Sequence, residues 1–226
     1  MSWTSQLPDR RLADNRLPIL TPVTPSGLLL TTTDTRMQKP NHLAHDPTVE
    51  LAWWIEDPAI QFRITGKAYT IPTDPSEVQG VLDKIGLDGE DAKAEFWEDK
   101  RKDLWKNLSG HLRGSFGRPP PGKKLDEIEE KPEDWISRLD VESVSRACIM
   151  TYWVHKASKM PGREEHRSWQ DDPKQKKDIE WAQSHFALIA IKPENAEMLE
   201  LKPAPNVRTQ YNKQSDGSWE KVSVAP

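Results

Sequence analysis

A single cysteine in 226 residues excludes an intramolecular disulfide and fits a reducing compartment. That residue, Cys148, lies in Ala147-Cys148-Ile149-Met150 and reads as a small buried apolar side chain rather than a nucleophile. Long apolar runs are missing too. Nothing approaches the ~20 residues of a membrane span, and residues 1–16 hold no secretory apolar stretch, so the expected setting is the cytoplasm, with no membrane partner. Neither sign of charge dominates: 32 Lys and Arg stand against 36 Asp and Glu, interspersed, which argues against a general nucleic-acid surface. A Gly-rich phosphate loop, a nucleophile elbow and a CxxC pair are all absent from the sequence. His42 and His45, followed by Asp46, are the one hint of a metal pair; the other histidines show no ligand spacing, and no metal site is expected.

Charge and tryptophan are plentiful. With 30% charged and 35% apolar residues, long stretches must be solvated, and the 10 tryptophans carry much of the burial. The length suits one domain with insertions, or one domain plus an arm. Residues 1–27, punctuated by Pro8, Pro18, Pro22 and Pro25, read as an irregular arm with at most a short extended piece at 17–20. Residues 28–226 read as a single domain carrying a charged insertion at about 123–181, in which 144–154 is an apolar island packing as a helix or hairpin.

The organising stretch is 28–61. Leu28, Leu29 and Leu30 run into three threonines, as in a buried strand that surfaces at its end. Asp34 and Thr35 are N-cap types and Pro40 is tolerable only in a first turn, so a short helix opens between them, ending at Asp46-Pro47. Arg36 and Lys39 flank that opening. Unpaired N–H groups at a helix start, two cations and nearby threonine hydroxyls make a phosphate cradle. Residues 49–55 then resume as a strand, and 60–71 alternate cleanly, with Ile60, Phe62 and Ile64 on one face and Gln61 on the other.

Further along, 74–86 reads as a capped helix, and 90–112 as a longer one with a stripe of Phe96, Trp97, Leu104, Trp105, Leu108 and Leu112. Residues 114–122, with three consecutive prolines, are the clearest loop, where Arg118 either meets an anionic ligand or staples the loop. The end of the chain gives a short strand at 186–191, a turn at 193–195, an extended piece at 197–201, and a hairpin closing at 215–218.

Lys39, Asp46-Pro47, Val49, Leu51, Gln61 and Gly66-Lys67-Ala68, in unbroken spacing, resemble the core of the pyridoxamine 5'-phosphate oxidase-like flavoproteins. The runs TTDTRMQK, VELAWWI and QFRITGKA resemble more narrowly a fungal and bacterial branch whose substrates are poorly defined. The resemblance implies a mainly β (α+β) fold, the FMN-binding split β-barrel, an antiparallel Greek key with peripheral helices. It also implies FMN as cofactor and a homodimer with flavin at the interface. Thr32, Thr33 and Lys39, with Arg36, would hold the phosphate and ribityl chain; Gln61 would reach the ring, Arg118 a further anionic group, and Arg208 the ring's N1 edge. Catalytic side chains are not implied, because hydride transfer on a flavin needs none.

Where the sequence departs from the family it does so at the substrate side. Leu199 stands where the better-known oxidases have tryptophan, and their substrate histidine and their phosphate-binding arginine and serine pattern are not found, which speaks against vitamin B6 phosphates as substrates. The basic, β-branched strand motif with which the family begins is not found in 1–27, and Met37-Gln38 replace a serine-arginine pair. Two readings follow: a two-electron oxidoreductase on an unknown small molecule, or a degenerate dimeric split barrel that acts as a binding protein.

Overall fold

The computed structural model describes residues 2–5, 24–141 and 173–226, with backbone alone at 2–5. By internal contacts the chain divides into two compact units, Met1–Glu98 with Ala187–Pro226, and Asp99–Phe186. Its strands are β1 (Ser2–Ser5), β2 (Leu29–Asp34), β3 (Thr48–Ile55), β4 (Ile60–Ile71), β5 (Phe186–Glu200), β6 (Val207–Lys213) and β7 (Trp219–Val224). Among the described residues five α-helices accompany them: α1 (Gln38–His45), α2 (Pro75–Ile85), α3 (Ala94–Asn107), α4 (Gly110–Phe116) and α5 (Pro173–His185).

In the first unit one antiparallel sheet runs β1-β3-β4-β5-β6-β7, with β2 joined to β5 off that path. The length of β5 makes this branching possible. One edge pairs with β4 along residues 188–200, while on the other edge β6 occupies only residues 195–200, so β2 takes the part that remains. Phe186 to Ile191 are buried without alternation, as a strand covered on both faces must be. Leu43 of α1 packs on Val49 and Leu51 of β3, Ala68 of β4 and Ile189 and Ile191 of β5, with Leu29 and Ile64 beside them. Among the described residues the sheet is antiparallel and not closed on itself.

Several expectations are corrected here. Far from surfacing, β2 keeps Thr31, Thr33 and Asp34 buried. The N-cap position of α1 falls to Met37, which makes no side-chain capping bond, and not to Asp34 or Thr35, because the Asp34 carboxylate is turned onto Arg36 instead. A single β5 replaces the strand, turn and strand expected over 186–201. Pro193-Glu194 forms a bulge, where proline's missing N–H does no harm: Thr65 pairs with Asn195 but Gly66 with Pro193. An N-terminal strand exists, but at Ser2–Ser5 on the β3 edge; the piece expected at 17–20, Cys148 and the apolar island at 144–154 lie outside the described residues. The α2 helix matches its sequence signals, with Asp74 accepting from the Ser76 N–H and Gly86 in the left-handed region at φ 66°.

Asp91 ties the chain before β2 to the turn before α3. Its fully buried carboxylate accepts from Ser26 N at 3.0 Å and Ser26 Oγ at 2.6 Å, and its carbonyl accepts from Trp97 Nε1 at 2.7 Å. Burial opposes the charge, yet hydrogen bonds from Ser26 and Thr24 outweigh it and hold the carboxyl below its usual range. A depressed folded value means stability that is present above the ordinary carboxylate pKa and lost as pH falls through the folded one. Asp91→Asn is therefore expected to cost about 1–2 kcal/mol in urea unfolding at pH 7, with the gap to wild type narrowing below about pH 4.

The long helix expected over 90–112 is broken into shorter pieces. A short 3₁₀ turn at Glu90–Ala92 precedes α3, and the chain breaks at Leu108-Ser109, where Ser109 Oγ accepts from Leu112 N to start α4. The loop expected at 114–122 begins later, because α4 runs to Phe116. Trp105, Phe116 and Phe186 form an aromatic trio with ring centroids 5.1–6.0 Å apart. Part of the charged insertion expected at about 123–181 is helical, since α5 starts at Pro173, a residue suited to a first helical position.

Candidate functional site

Strand pairing puts residues far apart in sequence into single rows, because directly paired residues project from the same face. Trp54 pairs with Gln61, Gln61 with Leu199, and Leu199 with Arg208. Two of the residues assigned to the ring thus stand in one row, separated only by Leu199. The next row on that face is Ala52, Arg63, Glu197 and Gln210. The opposite face carries Leu51 with Ile64 and Trp53 with Phe62, whose rings lie 5.8 Å apart, and it is against this apolar side that α1 packs.

Arg208 Nη2 donates to Glu197 Oε2 at 2.7 Å, and Gln210 Nε2 donates to the same oxygen at 3.1 Å. Burial works against the Glu197 charge, but these two hydrogen bonds and the positive charges of Arg208 and Arg63 hold its carboxyl below the usual range. Among the described residues Arg208 Nε is buried without a partner. Such an orphaned donor is costly unless a ligand acceptor reaches it. Sequence reasoning missed Glu197. In Glu197-Met198-Leu199-Glu200-Leu201 the two acids fall on opposite parities, so neither face of the strand looked like a site.

The other candidates gather around the β2–α1 junction. Thr32 is half-buried, and Thr33 Oγ1 donates to the Asp34 carbonyl at 3.3 Å. Arg36 is drawn onto Asp34, with Nε to Oδ1 at 3.0 Å, Nη2 to Oδ2 at 2.7 Å and its backbone N–H to Oδ1 at 2.8 Å. Lys39, half-buried, sits in the first turn of α1, which contains no acidic residue and has no side-chain cap. A cation at a helix start runs against the helix dipole, and an anion there offsets both. Arg118 belongs to the second unit. It donates from Nε to the Ile136 carbonyl at 2.8 Å and from Nη2 to the Ser137 carbonyl at 3.3 Å, the bonds of a loop staple. Among the described residues no group of three or more His, Cys, Asp or Glu side chains could hold a metal ion, and no helix is long and apolar enough to cross a membrane.

Comparison with known proteins bears on this geometry. No curated protein matches the chain in sequence. A pyridoxamine 5'-phosphate oxidase-related, FMN binding protein from Nostoc punctiforme superposes with a TM-score of 0.56 at 20% identity, over 92% of this chain and 78% of its own. PhzG from Burkholderia lata, solved in complex with tetrahydrophenazine-1-carboxylic acid, does so with a TM-score of 0.50 at 10% identity, over 100% of this chain and 80% of its own. The family model described as pyridoxamine 5'-phosphate oxidase, FMN-binding domain, matches residues 5–72, the segment that contains β2, α1, β3 and β4. The chain has the α+β antiparallel fold of the FMN-binding split-barrel proteins, and over residues 5–72 it matches their FMN-binding domain in sequence.

Proposed function

We propose that this chain is an FMN-binding flavoprotein, a cytoplasmic homodimer with flavin at the interface, that carries out two-electron redox chemistry on a small molecule. The observation that carries this reading is the shared row of Gln61, inside the segment matched to the FMN-binding domain, and Arg208, far outside it. The residues fit the group. Among the described residues Arg208 has a buried donor without a partner, and the first turn of α1 carries Lys39 and no acidic residue of its own. Lys39, helped by Thr32, Thr33 and Arg36, anchors the phosphate end; Gln61 hydrogen-bonds the ring; Arg208 supplies positive charge that favours its reduced form. When bound, FMN supplies the hydride chemistry.

The dimer is supported by the two faces of the sheet. Lys39 travels with α1 on the apolar side, whereas Gln61 and Arg208 belong to the other. Two protomers can bring both sets to one flavin. Residues 123–181, which fall within the second unit, Asp99–Phe186, are on this reading an insertion in a split-barrel domain spanning 28–226.

Titration with FMN, followed by quenching of flavin fluorescence, tests the assignment. Lys39→Ala is expected to weaken binding about tenfold, the value of one charge-assisted contact. An unchanged affinity sinks the cradle. A second reading, the non-catalytic scaffold, is favoured by the engagement of Arg36 with Asp34 and of Arg208 with Glu197, which neutralises two of the proposed anchors internally. Colour separates the two: a yellow protein as isolated supports the oxidoreductase, and a colourless dimer supports the scaffold.

A further inference from the structure

Glu197 occupies the middle of the row beside Gln61, on the central strand of the β4–β5–β6 ladder, with Arg63 on one side and Gln210 on the other. Its side chain is 15% exposed and takes both the Arg208 and the Gln210 hydrogen bonds on Oε2. Arg208 is thus held diagonally across two strands through one nitrogen, while its buried Nε has no acceptor among the described residues. A guanidinium on a long flexible stem loses side-chain freedom when a ligand orders it; one already clamped does not.

We propose that Glu197 is the positioning residue for Arg208, fixing the guanidinium for an acceptor on the flavin and setting the net charge that this face presents to it. The inference deepens the FMN reading and rests on it. Glu197 makes no contact with the reacting atoms; it acts through Arg208. Clamping and charge are separable, because an amide oxygen can still accept from Arg208 Nη2 while carrying no charge.

Two variants test it, each titrated with FMN by fluorescence quenching and then, saturated with FMN, reduced against a reference dye to obtain the midpoint potential. Glu197→Gln keeps the clamp and removes the negative charge, so affinity is expected to stay within about twofold or tighten, and the potential to move positive. Glu197→Leu removes both, and FMN affinity is expected to fall about tenfold. Wild-type affinity and potential in both variants overturn the proposal, as does a negative shift in Glu197→Gln. A loss of thermal stability with the potential unmoved also overturns it, since that is what a merely structural cross-strand pair would give. Failure of the wild type to bind FMN removes the FMN reading itself; silent variants of a wild type that binds remove only the role of Glu197.

Discussion

Gly66→Ala is expected to destabilise the protein by about 3 kcal/mol or more, a fall of roughly 10 °C in Tm for a chain of this size. The reason lies at the bulge. A Cβ on Gly66 would overlap the carbonyl oxygen of Lys192 and stand 3.0 Å from the carbonyl carbon of Lys192 and from Pro193 Cα. All three atoms are backbone, pinned by strand pairing on both sides of the bulge, so no side chain can swing away to relieve the overlap. Relief must come from moving β5 off β4, and the register beyond the bulge carries Glu197, Leu199 and their partners Gln210 and Arg208. The variant should therefore lose FMN affinity along with stability. Gly80→Ala is the control: it sits exposed in α2 with nothing within 4 Å of its added carbon, and it is expected to gain about 0.5–1 kcal/mol from helix propensity. If Gly66→Ala unfolds within about 1 kcal/mol of wild type, the close approach of these strands is not what fixes the bulge.

Elements whose signals are local could be read from the sequence. The α2 helix announces itself through Asp74, Pro75 and Gly86, and β4 through its alternation; the β6–β7 hairpin does so through Ser215 to Ser218, where Gln214 N donates to the Ser218 carbonyl at 2.8 Å. Elements decided by distant partners could not. Charges scattered along 90–112 hid the break at Ser109, and what makes that break tolerable is Arg113, whose role depends on where the end of α3 falls. Pro193 read as a turn because proline usually leaves a central strand; here an extra residue opposite Gly66 removes the conflict. Gln61 and Arg208 came from family resemblance, and only the register of β4, β5 and β6 puts them in one row. The pairings of Arg36 and Arg208 had no sequence signal, since Asp34–Arg36 depends on a turn and Glu197–Arg208 on a diagonal across two strands.

Arg113→Met is expected to cost about 3–5 kcal/mol, the largest loss of any single change considered for the second unit. Arg113 is only 5% exposed, on α4, and its guanidinium works as a cap for a helix other than its own. Nη1 donates to the carbonyls of Trp105 at 3.3 Å, Lys106 at 3.1 Å and Leu108 at 2.6 Å, and Nε donates to the Leu139 carbonyl at 2.8 Å. At that end of α3 the Trp105 carbonyl also accepts from Leu108 N–H, at 3.3 Å, so Arg113 supplies the donors the last turn is short of, and a positive charge there also complements the helix dipole. Methionine fills most of the volume but leaves the buried carbonyls of Leu108 and Leu139 without this donor, so the loss is one of unmet acceptors rather than of packing. Lysine keeps the charge, yet an ammonium on a single point cannot reach both the end of α3 and Leu139, and Arg113→Lys should fall about halfway between wild type and Arg113→Met. Burial lowers the affinity of Arg113 for its proton, but a guanidinium remains charged throughout the working range, so the cost should be flat between about pH 5 and pH 9. That flatness sets it apart from Asp91→Asn, whose cost fades in acid. Urea unfolding from about pH 3 to pH 9, with amide exchange at Leu108 and Leu139, would measure both. A cost below about 1 kcal/mol would mean that water reaches those carbonyls as readily as Arg113 does.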